Sequence, residues 1–527
     1  MWLIGNKFIR KCKFIEITVN IIIMATVLAF SVIFTKIKPR RTKMNQNSQW
    51  GSIFTFILAM IGLTIGIGNI WRFSYVLYSN GGGSFFIPYI IAILVMGIPF
   101  LILEYGLGFS FKKSFSNLMH SIRPEFEIIA WMLVLFVFIV VIYYMIILGW
   151  DFAYFLNSFN FGWGADPSSF FTSYVGGNSN LASATTIIFP TLICTLILWV
   201  IFWIISIKGV DKGIGKTSTV LIPLLFTIMI LIFVYAFTLP GFNIGISTLL
   251  TPDWSALFNI NVWLAAFGQT IFSLSIGQAM VYTYASYLPK NSKLVDEVLF
   301  VVIANSLYEI FIAFGVFSIL GYMSLTSSIP MNELISEGTG LIFIIFPQIF
   351  NSMGLMGHVI APLLFMSILF AGFTSAFALF EPLLSSLCDK FGWSRKKGVT
   401  ILTIVACIGT VIYSTGISSY LVGIVDEFVN NFGILILIGI QAIIFGWFYG
   451  VEKVMPALNE FSTFKVGKTW VFTLKYLLPV LLIGVWLLGL VKLFNDANSL
   501  KIAVDIIITI IVVGLSVLFT KMKSKTT

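Results

Sequence analysis

The chain has 527 residues, of which 59% are hydrophobic and only 10% are charged. This balance excludes a soluble globular protein of this size and indicates an all-α polytopic membrane protein. The net charge of +10 does not indicate nucleic-acid binding, because the basic residues lie in short loops, as they do in membrane proteins. The four cysteines are scattered and there are two histidines, so we predict no disulfide, no zinc site and no histidine-based enzyme.

Residues 1–43 contain an apolar stretch, 14–34, that is long enough to span a bilayer and has Lys and Arg on both sides. Equal charge on the two sides predicts no orientation. The stretch is interpreted in three ways: an extra transmembrane helix, an uncleaved signal-anchor, or sequence upstream of the natural start. We favour the third, because Met44 precedes a short polar run.

From Trp50 onward the hydropathy predicts about twelve membrane spans. Loops rich in Lys and Arg alternate with loops that lack them, so every second loop and the C-terminus are expected to be cytoplasmic. The stretch 341–350 is apolar but too short to span, and is interpreted as a re-entrant segment or an extracellular lid. The predicted spans are 51–75, 85–111, 126–157, 184–206, 216–239, 262–287, 294–323, 358–388, 398–416, 420–449, 470–493 and 501–521.

The first span is interrupted by three glycines, Gly62, Gly66 and Gly68, and then by the polar residues Asn69 and Arg72. Glycines are poor helix formers, and polar groups at membrane depth need partners. A broken helix of this kind exposes main-chain groups to ions and substrate. A kinked helix packed closely through small residues is the alternative, but it leaves the two polar residues without a reason.

A second interruption falls five spans later, where polar and glycine residues from Gln269 to Gln278 break the span 262–287. Broken helices at matching places in two halves indicate an inverted repeat with a site at its interface. We therefore predict a transporter core at 44–450. Its two five-helix repeats are placed at about 50–239 and 262–449, and two peripheral helices with a cytoplasmic tail follow at 451–527.

The oxygen-bearing residues inside the spans are hydroxyls, amides and a few carboxylates, with almost no Cys or His. Such a set suits a hard cation such as Na⁺ rather than a transition metal. For any single Ser or Thr, a hydrogen bond to its own helix is the competing explanation. Charged residues at membrane depth are functional candidates, and here they are Arg72, Glu104, Glu309, Glu381, Asp426 and Glu427.

At this point the motifs resemble those of the neurotransmitter:sodium symporters, in their prokaryotic amino-acid branch, over residues 47–495. The resemblance implies the leucine-transporter fold, in which transmembrane helices are broken at the binding site, and a multi-pass protein of a prokaryotic plasma membrane. The motifs that carry it are Gly66-Ile-Gly-Asn-Ile-Trp-Arg-Phe73, Asn80-Gly-Gly-Gly-Ser-Phe-Phe-Ile-Pro-Tyr89, Tyr143-Tyr144, Gln269-Thr-Ile-Phe-Ser-Leu-Ser-Ile-Gly277, Tyr284-Ala-Ser-Tyr287 and Ala371-Gly-Phe-Thr-Ser375.

The resemblance implies two sodium sites. The first is completed by the substrate's carboxylate, which lowers the cost of burying a cation where the protein supplies no charge of its own. The ligands it implies for the first site are the Thr64 carbonyl, Asn69, Ser273 and Asn305. Those for the second are the carbonyls of Gly62, Ile65 and Ala371 and the hydroxyls of Thr374 and Ser375.

The substrate carboxylate is expected at the N–H groups of Ile67 and Gly68 and at the Tyr144 hydroxyl. Monoamine carriers of the family have an aspartate where this chain has Gly66, so the resemblance implies an amino acid. Its pocket is mostly apolar, which suits a neutral, hydrophobic side chain, although Gln278 replaces an aromatic residue. The pocket carried over is Leu63, Val140, Tyr144, Phe272, Ser275, Gln278, Ser375 and Leu379.

Glu309 lies one helical turn after Asn305, on the same face. Chloride-dependent members have a serine there, so we predict that this carboxylate replaces chloride, which is not required, and that it releases a proton for counter-transport. A structural buried carboxyl is the competing explanation.

The resemblance also implies two gates. At the outer gate Arg72 is expected to pair with Asp426 or Glu427, of which we favour Asp426, and Phe272 and Tyr144 are expected to cap the site. At the inner gate it implies Trp50, Tyr287 and Asp389. The arginine expected three residues before Trp50 is Asn47, for which Lys43 is a candidate substitute.

The sequence therefore predicts a sodium-coupled symporter of neutral amino acids, monomeric or homodimeric, that works by alternating access. The competing function is a membrane sensor that binds an amino acid without transporting it. An enzyme is not expected, because no nucleophile with a base and no cluster of metal ligands is present.

Overall fold

The structure is a computed structural model that describes residues 49–177, 181–335, 338–495 and 498–524. The expectations for residues 1–43, Met44 and Asn47 fall outside these ranges. The described residues form helices joined by turns, with no β-strand among them and two isolated bridges, Gly82 with Pro252 and Ile187 with Thr415.

Ten helical runs of the described chain are long and apolar enough to cross a membrane, and one bent pair raises the number to eleven. The predicted span 262–287 is not among them, because residues 274–279 separate it into two shorter helices. We label the elements α1 Ile53–Thr64, α2 Gly68–Ser79, α3 Gly83–Phe111, α4 Phe115–Ile122, α5 Pro124–Ser158, α6 Phe189–Ser206, α7 Val210–Phe237, α8 Ile260–Ser273, α9 Met280–Ser286, α10 Leu294–Ser327, α11 Gly354–Phe391, α12 Arg395–Tyr413, α13 Ser418–Phe461, α14 Lys468–Asn495 and α15 Ser499–Lys521. Shorter helices cover Pro167–Tyr174, Phe242–Leu250, Met331–Leu334 and Leu341–Ser352.

The first predicted break is confirmed, because α1 and α2 meet at an angle of 65°. The side chain of Ser52 caps the start of α1, and Ile65 at its end has an extended conformation. Gly66 and Gly68 have no side chain of their own, so groups from other helices can approach the main chain there closely.

The second predicted break is confirmed between α8 and α9, where Ser275, Gly277 and Ala279 all have positive φ angles of 51°, 71° and 64°. Left-handed backbone costs a non-glycine residue about 1–2 kcal/mol. Two such residues within five positions therefore persist only because neighbouring helices hold the segment.

The broken helices lie inside the bundle. The half-helices α1 and α2 pack on α10, α1 also packs on α7 and α11, and α8 and α9 pack on α3. The most extensive contact between two helices is that of α5 with α11. The helices α14 and α15 are the most peripheral, with 18% and 17% of their most apolar stretches buried.

Several predicted boundaries are wrong by a few residues. The predicted span 184–206 begins as a continuous helix only at Phe189. Residues Leu181–Thr185 form a separate 3₁₀ helix, Ile188 is extended, and Pro190 suits the first turn of the helix that follows. The helix α7 begins earlier, at Val210, with a π-helical segment. The helix α13 runs past 449 through a 3₁₀ turn to Phe461.

The apolar stretch 341–350 forms the helix Leu341–Ser352, too short to count as a span. The rings of Trp150 and Tyr154 on α5 contact its Phe343, with centroids 6.1 and 5.0 Å apart. It therefore packs over one end of α5, as a lid would.

The glycine run of the second motif faces the main chain of another loop. A Cβ added at Gly83 would lie 2.3 Å from the Leu250 carbonyl oxygen, and one at Gly82 would lie 2.7 Å from that of Thr251. The run therefore lets the loop between α2 and α3 contact the segment after Phe242–Leu250.

We expect Gly83→Ala to lower the free energy of unfolding by about 1–3 kcal/mol, because the new methyl group has no room beside the backbone. Thermal unfolding of the purified protein in detergent measures it. The matched control is Gly514→Ala in α15, where a Cβ meets nothing within 4 Å; equal stability of the two variants would contradict the proposed contact.

Candidate binding site at the two helix breaks

The centre of the site is the main chain between α1 and α2. The Gly66 N–H donates to Asn69 Oδ1 at 2.9 Å, and the Ile67 N–H donates to the Tyr144 hydroxyl at 3.3 Å. A Cβ added at Gly66 would lie 3.3 Å from both the Tyr144 hydroxyl and Ser375 Oγ. A peptide edge, a phenol and a serine hydroxyl therefore surround the position where a side chain is missing.

The five residues expected at the second sodium site lie together. Ser375 Oγ lies within hydrogen-bond distance of the carbonyl oxygens of Gly62 at 2.9 Å, Ile65 at 3.2 Å and Ala371 at 3.2 Å, although its single O–H can donate to only one of them at a time. Thr374 Oγ1 lies 2.9 Å from the Ala371 carbonyl, and a Cβ on Gly62 would meet that hydroxyl at 2.9 Å. Three carbonyls and two hydroxyls thus converge between α1 and α11, a donor set that hard cations prefer.

Three of the residues expected at the first sodium site form a chain of hydrogen bonds. Asn69 Nδ2 donates to Asn305 Oδ1 at 3.0 Å, and Asn305 Nδ2 donates to Ser273 Oγ at 2.6 Å. The Thr64 hydroxyl lies within hydrogen-bond distance of two carbonyls of its own helix, those of Met60 and Ile61. The chain joins α2, α8 and α10.

Glu309 is fully buried and lies beside that chain. One oxygen accepts from Asn69 Nδ2 at 3.3 Å and from Gln269 Nε2 at 3.0 Å, and the other accepts from the Tyr89 hydroxyl. Donors from α2, α3 and α8 therefore converge on one carboxyl group, and their hydrogen bonds offset much of the free energy lost by taking it out of water.

Of the residues expected in the substrate pocket, Phe272 lies against the main chain of the same break. The Phe272 ring lies so close to Gly68 that a Cβ there would be 2.2 Å from it. Ser275 is half-buried in the left-handed segment after α8. The remaining expected pocket residues are buried, and they are Leu63, Ile67, Val140, Gln278 and Leu379.

At the outer gate predicted from the sequence, the Arg72 guanidinium stacks 4.4 Å from the centre of the Phe272 ring. Asp426 accepts from the Tyr143 hydroxyl at 2.7 Å and from Asn430 Nδ2 at 2.8 Å, and it interacts electrostatically with Arg72. Arg72 thus contacts the ring beside Gly68 and acts on a carboxylate that α5 and α13 hold in place.

The neighbouring Glu427 forms an ion pair with Lys501 of α15 at 2.9 Å. The charge of Glu427 is therefore compensated by Lys501, whereas the charge of Asp426 interacts with Arg72. This geometry favours Asp426 as the gate partner.

At the expected inner gate, Trp50 is buried with 4% of its surface exposed. Its main-chain N–H donates to the Tyr287 carbonyl at 3.2 Å, and its indole N–H donates to the Tyr284 carbonyl at 2.9 Å. The start of the first helix is therefore wedged against the end of α9.

Asp389 accepts from the Ser114 N–H at 3.0 Å and from Asn117 Nδ2 at 3.4 Å. Its carboxylate therefore holds the start of α4 against the end of α11.

A model of the sodium:neurotransmitter symporter family matches residues 47–174 and 165–520. The chain belongs to this family. The symporter is 36% identical over 455 residues to an uncharacterised sodium-dependent transporter of Methanocaldococcus jannaschii, covering 86% of this chain and 91% of that protein. It is 27% identical to the sodium-dependent serotonin transporter of Drosophila melanogaster, over 84% of this chain and 76% of that one.

Among solved structures, the symporter resembles MhsT in complex with L-phenylalanine, with a TM-score of 0.70 and 27% identity, over 84% of this chain and 99% of that chain. The membership confirms the family and fold predicted from the sequence. The family is one of sodium-coupled transporters and not of enzymes, as predicted from the sequence.

One cluster of the symporter was not anticipated from the sequence. Arg395 at the start of α12 makes a two-pronged ion pair with Glu381, at 2.5 and 2.9 Å, and its Nε donates to the Ser206 carbonyl at 3.0 Å. The Tyr287 hydroxyl donates to the same carboxylate at 3.2 Å. The signal was present, because a glutamate at membrane depth requires a cationic partner.

The main chain of Gly277 is hydrogen-bonded by side chains on two sides. Its N–H donates to Glu104 Oε1 at 3.1 Å, and its carbonyl accepts from Gln441 Nε2 at 2.9 Å. Gln441 was missed, although an amide side chain in the middle of a span is itself a signal.

We expect Arg395→Met to destabilise the protein by about 3–5 kcal/mol, because it leaves the Glu381 carboxylate buried without its cation. The double variant with Glu381→Gln should recover much of this loss. Thermal unfolding in detergent measures both. Lys475→Met, which removes the cation of a more exposed pair with Glu452, is the control; a loss no larger than the control's would contradict the role of the buried pair.

Proposed function

We propose that this symporter carries neutral, hydrophobic amino acids with Na⁺ by alternating access. The observation that carries the proposal is the main chain at Gly66–Gly68, which faces the Tyr144 hydroxyl at a break in the helix and has no acidic side chain of its own. Exposed N–H groups at the start of a helix favour a carboxylate, and an amino acid supplies one.

Two Na⁺ ions are proposed, one in each oxygen cluster. The cluster around Ser375 and Thr374 supplies five neutral oxygens. The cluster of Asn69, Asn305 and Ser273 is completed by the substrate's carboxylate. Because that carboxylate is then shared by Na⁺ and the main chain, each ligand raises the affinity for the other.

The substrate side chain is proposed to be apolar, because most of the surrounding pocket is buried hydrocarbon with the Phe272 ring on one side. The presence of L-phenylalanine in the MhsT complex supports this class. Gln278 is the polar exception in the pocket, which extends the proposed range toward side chains with one hydrogen-bonding group.

The two ends of the site are proposed to open in turn. Arg72, Phe272 and Asp426 form the outer barrier, and Trp50 with Tyr287 and Asp389 the inner one. The distribution of basic loops supports a prokaryotic plasma-membrane protein with a cytoplasmic C-terminus. The protein is proposed to work as a monomer or homodimer.

Uptake of radiolabelled amino acids into proteoliposomes tests the function. With an inward Na⁺ gradient, we expect accumulation of neutral hydrophobic amino acids, and loss of accumulation when K⁺ replaces Na⁺. Thr374→Ala should raise the Na⁺ concentration for half-maximal uptake by about tenfold, the effect of one lost ligand contact. Ser367→Ala, which removes a hydroxyl bonded within the same helix, is the control and should leave it unchanged. Sodium-dependent binding without accumulation would instead establish a sensor.

Chloride independence is proposed from Glu309, whose buried carboxyl stands beside the first sodium cluster and supplies a negative charge there. We expect wild-type uptake to be unchanged when gluconate replaces chloride. Glu309→Ser should make uptake depend on chloride, because the site then lacks a fixed anion. Chloride-independent uptake by this variant, at the wild-type rate, would contradict the assignment.

A further inference from the structure

We infer that Asp211, at the start of α7, is the latch of the inner gate: a positioning residue that holds the first residues of α1 in the closed arrangement. The inference rests on the proposed alternating access and adds a residue that the sequence motifs do not include.

The latch acts on the main chain. Asp211 Oδ1 accepts the N–H of Gly51 at 2.8 Å, directly beside the buried Trp50. A Cβ at residue 51 would lie 2.5 Å from that oxygen and 2.9 Å from the carboxyl carbon. Gly51 thus provides the space that allows a carboxylate to reach the peptide.

The same end of α7 contacts α1 at a second place. A Cβ at Gly215 would lie 2.4 Å from Thr55 Cγ2 and 3.4 Å from the Trp50 ring. Both contacts arise from the π-helical segment Val210–Gly215. Two neighbouring residues are therefore held from two sides: Trp50 by the carbonyls at the end of α9, and the N–H of Gly51 by the carboxylate of α7.

The two grips differ in their exposure to water. The Trp50 indole bond is buried, whereas the Gly51–Asp211 bond is exposed. Water competes for an exposed hydrogen bond, so this bond opens first. Because its acceptor is a charged carboxylate, it is stronger than a neutral bond at the same place. The Gly51–Asp211 bond is made by the main chain and requires no particular side chain before Trp50. It can therefore supply an inner-gate contact although Asn47 stands where an arginine was expected.

Opening toward the cytoplasm requires the start of α1 to leave α9. The Asp211 bond must break in that step, while nothing at the substrate site changes. Loss of the latch should therefore favour the inward-open arrangement without altering the pocket. Uptake would then show a raised KM for substrate with little loss of maximal rate.

Hydrogen–deuterium exchange of the full protein in lipid nanodiscs, read by mass spectrometry, tests the latch without requiring transport. We expect Asp211→Ala to speed exchange in peptides covering residues 50–64 by about tenfold, the effect of losing one charged hydrogen bond. Peptides covering α8 should be unchanged. Asp211→Asn keeps a neutral acceptor and should lie between the two. Gly51→Ala, which displaces the carboxylate sterically, should resemble Asp211→Ala.

The matched control is Asp166→Ala. Asp166 also accepts backbone N–H groups, those of Ser168 and Ser169 at 3.1 and 3.2 Å, but it caps a loop helix away from α1. It should leave exchange in 50–64 at the wild-type rate. If Asp211→Ala and Gly51→Ala also exchange at the wild-type rate, the latch is wrong. If they exchange faster but the wild type does not accumulate amino acids, the latch stands and the transport proposal fails.

Discussion

The constraint on which this structure depends is the need to satisfy main-chain polar groups at two helix breaks inside a membrane. Lipid supplies no hydrogen bonds, so each opened N–H or carbonyl must find a partner in protein, ion or substrate. At the first break the partners are Tyr144, Ser375 and Asn69. At the second they are Glu104, which accepts the N–H of Gly277, and Gln441, which donates to the carbonyl of the same residue. The binding site and the stability of the bundle therefore have the same origin.

The charges follow from that constraint. Three buried carboxylates near the breaks are surrounded by donors from more than one helix: Glu309 by three, Glu381 by an arginine and a tyrosine, and Asp426 by a tyrosine and an asparagine. A carboxylate that draws donors from several helices fixes their relative positions more narrowly than apolar packing does. This explains how few charged residues suffice to arrange so many apolar helices.

Much of this arrangement was predictable from sequence. The breaks were found because glycines and amides interrupt long apolar runs, and the oxygen clusters because motif residues fall on those breaks. In the sequence Arg395 is one of the basic residues of a loop. Its pairing with Glu381 was not predicted, because the turn between the two helices decides whether they meet. The Gly51–Asp211 bond was beyond reach, because an acceptor of a main-chain N–H leaves no pattern in the sequence. The start of α6 was predicted too early, because hydropathy does not distinguish the irregular segment before Phe189 from the helix that follows it.

The two hydrogen bonds of Gly277, to Glu104 and from Gln441, have a consequence for how the molecule moves. Residues of α3 and α13 both bond Gly277. Neither helix can therefore move relative to the α8–α9 pair without breaking a buried hydrogen bond that water cannot replace. We expect these four elements to travel as one block, so that the hinge lies at the edges of the block and not within it. Loss of the Gln441 amide, on a helix outside the proposed pocket, would therefore loosen the whole block and not only the residue that it contacts.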